Sequence, residues 1–256
     1  MATKFFLPYP SEVIEATLIK RFKRFFAEVV LDDGTQTHAF CPNTGRITSS
    51  IFEGGRVRLL PTPSAKIPFR WVQSLTPYGW SGIDTMTPNR FFRKLFSEFT
   101  VQGWGKASLV KPEATFGNSR FDYYLEYPGG VKRFVEVKSA TYCLDSTDPA
   151  FTSYSSSHSP SPNPHRPFLV FPDSPSERAQ KHINRLHELQ REGFICSVLY
   201  AVQHPGGEFI TAAKHIDMAY AIAVSAARLA GVEFRAFRLG AEPDGIRWEN
   251  EEIPVL

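Results

Sequence analysis

The sequence predicts a mixed α/β fold in two parts, an OB-like β-barrel over residues 1–80 and an α/β domain over residues 81–256. Short strand-like segments separated by turn sequences fill residues 1–80, and the one helical pattern there, around residues 47–52, is weak. Several short strands at this spacing favour a small barrel. Farther along the chain, strand and helix patterns alternate, which is typical of an α/β domain.

The predicted barrel strands are bounded by turn sequences. A long β-like stretch over residues 18–31 ends at Asp32-Asp33-Gly34, where Asp-Gly is a strong hairpin signal. Residues 35–40 return from that turn, and the next turn is Cys41-Pro42-Asn43-Thr44-Gly45. Two further strands are predicted, at residues 56–60 and 69–75.

Three helices and two strands are predicted in the α/β domain. The first helix begins near Thr87-Pro88 and ends near Phe99, with proline in its first turn. The second has Ser174 as the N-cap and stops at Gly193, with an apolar stripe that includes Ala179, Ile183, Leu186 and Leu189. A continuous apolar strand over 194–203, an apolar helix over 216–230 and a strand over 232–238 complete a strand–helix–strand unit.

Between the first two helices lies a predicted β-hairpin. Residues 121–127 and 131–139 alternate with a period of two around Pro128-Gly129-Gly130, which supplies the turn. A turn centred on Gly129 pairs Glu126 with Lys132 and Tyr124 with Phe134, and it gives an apolar face on which Phe121 opposes Val137 and Tyr123 opposes Val135.

The other face of this hairpin carries charged residues. Asp122 is predicted to lie opposite Glu136, with their Cβ atoms ~5 Å apart, and Lys138 is on the same face. Carboxylates at that distance repel unless a cation or solvent screens them. Mg²⁺ prefers such oxygen ligands, and a nearby lysine can position or help deprotonate a metal-bound water. An exposed strand with solvated charges gives the same short pattern, so both interpretations stay open.

The positive charge of the chain is concentrated near its beginning. Of the formal net charge of +3, residues 1–80 carry +4 and the remainder −1, which favours a polyanion-facing surface on the barrel. Lys20, Arg21, Lys23 and Arg24 alternate there with three phenylalanines, as in proteins that bind single-stranded nucleic acid. The alternative is that the phenylalanines belong to the core and the cations are an exposed face.

Several other classes are disfavoured by the sequence. Three widely spaced cysteines give no disulfide framework or zinc motif, and no signal peptide or ~18-residue apolar run is present. We therefore expect a cytoplasmic protein without a membrane span. Residues 145–167 contain five prolines and seven serines and are expected to form a mobile loop, either an inert insertion or a lid over substrate.

The chain resembles the sugar fermentation stimulation protein (SfsA) family in segments spread along nearly its whole length. They are residues 18–25, 31–34, 41–45, 88–90, 117–122, 135–138, 171–173, 180–182, 230–233 and 253–255. The resemblance implies an N-terminal OB-like domain, a C-terminal PD-(D/E)xK nuclease-like α/β domain, DNA binding, and a link to the regulation of sugar (maltose) use.

The same resemblance assigns roles by position. It places Asp122, Glu136 and Lys138 on the nuclease motif as catalytic residues, with Mg²⁺ or Mn²⁺ held by the two carboxylates. Gln180 and Lys181 fall on the following helix, and with Arg120 they are expected to contact nucleic acid. Two positions depart from the family: Asp84 replaces an expected asparagine, and the insertion at 145–167 is longer than usual. The only acid of the first helix, Glu98, lies near its far end, so a third acidic ligand is not identified.

Three functions are compatible with these observations. The leading hypothesis is a sequence-nonspecific DNA-binding protein that retains a divalent-metal, nuclease-like site. The second is an active Mg²⁺-dependent nuclease acting on DNA or RNA. The third is a non-enzymatic regulator or adaptor whose barrel binds a protein or an oligosaccharide, because OB folds accept several ligands.

Overall fold

The chain forms a β-barrel followed by a mixed sheet with helices on both faces. A computed structural model describes residues 5–64, 66–151, 154, 166–248 and 250–256. The mixed α/β class, with an OB-like barrel first, is confirmed. Most of the segment 145–167, which was expected to form a mobile loop as an inert insertion or a lid, lies outside the described residues. Within the described part, no helix is long and apolar enough to cross a membrane.

Five antiparallel strands and a parallel closing contact make the barrel. The strands are β2 (Ile14–Phe22), β3 (Phe26–Leu31), β4 (Gln36–Phe40), β5 (Arg56–Pro61) and β6 (Phe69–Thr76). They follow the order β4-β3-β2-β5-β6, and β4 pairs with β6 to close the circle, while β7 (Gly79–Gly82) extends the edge at β6. A 3₁₀ turn (Thr48–Ser50) is the helical element near residues 47–52. Buried residues such as Leu18, Val29 and Trp71 fill the interior.

The first strand lies apart from the barrel. Strand β1 (Phe5–Pro8) pairs with β17 (Gly245–Trp248), which also pairs with β16 (Gly240–Glu242). Phe5 packs edge-on against Phe91 of α1 (Met86–Glu98), with ring centroids 4.9 Å apart. The beginning of the chain is therefore held by the α/β domain, although residues 1–80 were expected to be barrel.

One predicted strand proves to be two. The stretch 18–31 is divided by a tight turn in which Lys23 and Arg24 have φ values of 49° and 62°. Non-glycine residues rarely occupy this left-handed region, so periodicity alone gave no sign of the break. The cation-rich segment is therefore the tip of the β2–β3 hairpin.

A six-stranded sheet forms the centre of the α/β domain. Its order is β18-β15-β13-β10-β9-β8, and β13 pairs in parallel with both β10 and β15. The strands are β8 (Leu109–Phe116), β9 (Ser119–Glu126), β10 (Lys132–Ala140), β13 (Ile195–Val202), β15 (Glu233–Arg238) and β18 (Glu252–Ile253). A second sheet joins β11 (Tyr142–Leu144), β12 (Phe168–Phe171) and β14 (Ile210–Ala212).

Helices cover both faces of the central sheet. Helix α1 packs on one face, and α2 (Glu177–Arg191) and α3 (Met218–Leu229) pack on the other. The predicted apolar stripe of α2 is buried as expected. Its N-cap, however, is Ser176 rather than Ser174: the Ser176 hydroxyl accepts a hydrogen bond from the backbone N–H of Ala179. The cap is displaced because Asp217 also accepts the backbone N–H of Ser176 and fixes the start of the helix there.

Candidate metal centre

The predicted hairpin register is present over its outer part and then breaks at the site. Strand β10 pairs Lys132 with Glu126 and Phe134 with Tyr124, and the ladder ends at Val135 opposite Tyr123. Phe121 does not share a face with Tyr123 as expected; it packs against Phe134 in the layer of α2 and α3. The strand thus changes face at Asp122, where the backbone pairing stops.

Asp122 replaces the missing ladder bond with its side chain. Its Oδ2 accepts the backbone N–H of Val137 at 2.7 Å, and its Oδ1 accepts the side-chain amide of Asn89 at 3.0 Å. Asn89 belongs to α1, and the Tyr123 hydroxyl donates to its backbone carbonyl. The break in the ladder therefore ties the carboxylate to both the neighbouring strand and the helix.

Glu136 lies in the middle of the sheet, on a strand paired on the other side with β13. Its side chain is 4% exposed, and its Oε1 accepts hydrogen bonds from Lys138 Nζ at 2.7 Å and His182 Nδ1 at 2.5 Å. Its other oxygen, Oε2, is buried without a hydrogen-bond partner. A buried carboxylate oxygen without a donor is costly, so this atom is a candidate cation ligand.

The two carboxyl groups differ in their electrostatics. Burial, and then the charge of Glu136, raise the pKa of Asp122 to about 6. Burial also opposes the ionisation of Glu136, but the adjacent Lys138 and His182 hold its pKa below the usual value. Glu136 therefore ionises more readily than Asp122, whose proton is held more tightly than usual.

Both carboxylates line a pocket of about 370 Å³ between the barrel and the α/β domain. Asn43, Thr44 and Gly45 form the barrel wall, and the opposite wall includes Phe171, Pro172 and Asp173. Asp173 accepts the backbone N–H of Ile47 at 3.0 Å. A Cβ atom on Gly45 would lie 2.4 Å from Asp173 Oδ2, so only glycine permits this approach. Segments 41–45 and 171–173, which both carry the family resemblance, thus meet at the pocket.

The residues in the pocket fit a hard divalent cation. Among the described residues there is no group of three or more His, Cys, Asp or Glu side chains arranged to hold a metal. The two carboxylates predicted as ligands, Asp122 and Glu136, both line the pocket, whereas Asn89, which donates to Asp122, does not. Mg²⁺ commonly binds one or two carboxylates and completes its shell with water and phosphate oxygens. Glu98 pairs with Lys94 at 4.0 Å and does not line the pocket.

The cations of the hairpin tip have two different roles. Arg21 directs all of its N–H groups to backbone carbonyls, those of Arg24, Asn43, Gly45 and Arg46. It thereby fixes the tip beside the loop that forms the pocket wall. Lys23 and Arg24 are exposed and form no ion pair with the described residues.

The remaining expected nucleic-acid contacts are scattered. Lys20 pairs with Glu28 at 3.1 Å, and exposed Arg120 pairs with Glu113. Gln180 donates to Asp217 at 2.8 Å, whereas Lys181 is exposed on α2. In the described part of the chain, Asp122, Glu136 and Lys138 therefore line one pocket, whereas none of the expected nucleic-acid contacts, Lys23 and Arg24 included, is among its lining residues.

The phenylalanines of the cation-rich segment lie outside the barrel core. Phe22 and Phe26 stack on one another with centroids 5.7 Å apart, Phe22 meets His38 edge-on, and Phe25 is 46% exposed. None of the three belongs to the buried barrel cluster. The alternative that they are core residues is not what the structure shows.

Sequence reasoning missed three residues of the site. His182 contacts Glu136, Asn89 contacts Asp122, and Arg178 lines the pocket from the first turn of α2. A signal existed for His182, because it precedes Ile183 of the buried stripe and so borders the helix face turned toward the sheet. Asn89 had no comparable signal, since an asparagine near a helix start is usually explained by local capping.

The raised pKa of Asp122 predicts a pH-dependent stability. In the cation-free protein, the folded state keeps a proton that the unfolded chain releases above its usual pKa of 3.8, so this group's contribution to the free energy of unfolding falls as pH rises from about 4 to 6. Asp122→Asn removes that loss. The free energy of unfolding of this variant minus that of the wild type should therefore increase by up to about 3 kcal/mol as pH rises through this range. Urea unfolding in EDTA measures it. Parallel pH profiles would contradict the assignment.

Comparisons with known proteins agree along the whole chain. The family model of the SfsA N-terminal OB domain matches residues 19–83, and that of the sugar fermentation stimulation protein RE domain matches residues 86–151 and 162–245. The sugar fermentation stimulation protein homolog of Geobacter sulfurreducens is 34% identical over 250 residues, covering 96% of this chain and 97% of its own length. The Jannaschia homolog is 32% identical over 243 residues, covering 93% and 92%.

A solved structure is also similar. SfsA of Pyrococcus furiosus, in complex with Ca²⁺, superposes with a TM-score of 0.80 at 24% identity and covers 98% of both chains. At this identity the likeness concerns the fold. Together with the two matched family models and the full-length relatives, it leads to one conclusion: the chain belongs to the sugar fermentation stimulation protein (SfsA) family.

Proposed function

We propose that this protein binds DNA without sequence specificity and uses a divalent cation, Mg²⁺ or Mn²⁺, held by Asp122 and Glu136, to engage the nucleic-acid backbone. The observation that carries the proposal is the buried carboxylate pair, in which Glu136 Oε2 lacks any donor and Asp122 has a pKa of about 6. A cation between the two groups would remove their repulsion. The relatives are named for sugar fermentation stimulation, which supports the further proposal that the protein acts in the cytoplasm in regulating sugar (maltose) use.

The relative from Pyrococcus furiosus supports a cation-binding role, since its structure contains Ca²⁺. Ca²⁺ and Mg²⁺ are both hard cations that take oxygen ligands, as this pocket offers. Exposed Lys23 and Arg24, beside the pocket wall, supply positive charge for the phosphates that flank such a cation. Electrostatic contacts of this kind bind nucleic acid regardless of sequence.

Cation binding should depend on the two carboxylates. Titrating Mn²⁺ by calorimetry should show one site in the wild type, and saturating Mn²⁺ should raise its melting temperature because the cation binds only the folded state. Glu136→Gln should weaken binding at least tenfold. Glu126→Gln, at the other end of the same hairpin, is the matched control and should bind normally. Equal binding by all three proteins would remove the cation from this pocket.

DNA binding should depend on salt and on the hairpin tip. Each phosphate contact adds roughly 0.7–0.9 to the slope of log affinity against log salt. The double variant Lys23→Gln/Arg24→Gln should therefore lower the slope by roughly 1.5 in fluorescence anisotropy. Lys106→Gln/Lys132→Gln removes two exposed lysines that lie outside the hairpin tip and should leave the slope unchanged. Tight binding of a protein or oligosaccharide by the barrel, with no binding of DNA, would favour the adaptor role instead.

Phosphodiester cleavage is the second candidate function, and Lys138 favours it. The Lys138 side chain is 10% exposed and lines the pocket, and its ammonium group contacts Glu136 at 2.7 Å. A bound Mg²⁺ supplies Lewis-acid activation of water and phosphate. Asp122 and Glu136 would hold the cation, while Lys138 would orient the attacking water and stabilise the charge that develops on phosphate.

Cleavage is tested most directly at Lys138. Lys138→Met retains both carboxylates, so it should still bind Mn²⁺ while cutting labelled DNA or RNA at least 100-fold more slowly, as loss of a charge-stabilising group does. Asp122→Ala should lose cutting as well. The readout is gel electrophoresis of single- and double-stranded substrates in Mg²⁺ or Mn²⁺. If the wild type cuts none of them, or the variants cut equally well, the protein is not a nuclease of this type.

A further inference from the structure

We infer that the strand entering this pocket is single, and that Phe25 at the tip of the β2–β3 hairpin stacks on one of its bases. The inference rests on the proposed function and specifies the form of nucleic acid that the site accepts. Three observations carry it: the fixed position of the tip, the enclosure of the carboxylates, and the aromatic groups exposed outside the barrel core.

The hairpin tip is fixed against the pocket wall. Arg21 donates to the carbonyl of Arg24 within the tip and to those of Asn43 and Gly45 in the wall. The backbone carbonyl of Phe25 accepts the N–H of Cys41, which precedes the same loop, at 2.7 Å. The backbone of the tip is therefore held beside the loop that forms the pocket wall, and the side chains of Lys23, Arg24 and Phe25 are left exposed.

Glu136 is the more enclosed of the two carboxylates, because Asp122 is only half-buried. Glu136 is 4% exposed, and the barrel and α/β walls meet where Asp173 binds the backbone of Ile47. Pockets of about 300–1,000 Å³ hold one drug-sized molecule, the size class of a single nucleotide. The volume of about 370 Å³ lies at the low end of that range. A duplex is a rigid body, with a major groove alone ~12 Å wide, whereas one flexible strand can bend a single phosphate inward.

The aromatic surface beside the tip matches an unpaired strand. Phe25 is 46% exposed, and Phe22, Phe26 and His38 form an aromatic group on the same hairpin and its neighbouring strand. Exposed rings interleaved with cations bind single strands because bases stack on the rings while the cations track the phosphates. In a duplex the base faces are already stacked on one another and are not available to Phe25.

The test compares a labelled 16-nucleotide DNA strand with its blunt duplex by fluorescence anisotropy at one salt concentration, with Ca²⁺ present. The single strand should bind at least tenfold more tightly than the duplex. Phe25→Ala should weaken single-strand binding roughly tenfold, the loss expected for one stacked base, and should leave duplex binding unchanged. Phe52→Ala is the matched control, because Phe52 is 40% exposed but lies outside both the tip and the pocket lining.

Each other outcome overturns the inference. If the duplex binds as tightly as the single strand, or if Phe25→Ala and Phe52→Ala behave alike, the single-strand assignment fails while DNA binding stands. If neither form of DNA binds, the proposed function fails with it. Circular dichroism of both variants establishes that they are folded, and the Phe25 substitution spares the backbone bond to Cys41.

Discussion

The burial of one carboxylate in the central sheet is the constraint on which the site depends. Removing a charge from water costs several kcal/mol, and the cost is recovered only where other charges and hydrogen bonds compensate. Lys138 from the same strand and His182 from α2 both approach Oε1 of Glu136. Because both hydrogen bonds fall on one oxygen, the other is buried without a partner. The proposed cation site depends on this asymmetry.

The pocket also depends on a polar junction between barrel and α/β domain. Asp84, where an asparagine was expected, is buried and accepts two hydrogen bonds from Arg70, at 2.8 and 2.7 Å, with Arg90 of α1 at 3.6 Å. Gln203 donates to the Asp84 carbonyl and to Ser139 of the strand that carries Lys138. Removing one partner of such a buried network would leave an uncompensated group, so its members stay together. Because the network joins the barrel to the strand of Lys138, it holds the barrel wall at a defined distance from the carboxylates.

The hairpin could be predicted from sequence because its signals are local. A period of two and a Pro-Gly-Gly turn determine the outer register from Lys132–Glu126 to Val135–Tyr123. The change of face at Asp122 could not be predicted, because it depends on a side chain replacing a ladder bond and on Asn89 from a distant helix. The β2–β3 turn was not predicted for a similar reason. Arg21 holds it through backbone carbonyls twenty or more residues away, and no residue type near the turn indicates that contact.

Asn89 of α1 is uncharged, and this affects the electrostatic repulsion around Asp122 when no cation is bound. A third carboxylate at the position of Asn89 would add a second repulsion to the one that already raises the pKa of Asp122. Asn89 instead donates to Asp122 and stabilises its anion, while offering an uncharged oxygen on the same amide. Cation affinity rises with the number of charged ligands, so a cation held as proposed, by two carboxylates, would bind more weakly than one held by three. The missing charge can be supplied by the phosphate of a bound strand, so we expect cation and nucleic acid to bind more tightly together than either does alone.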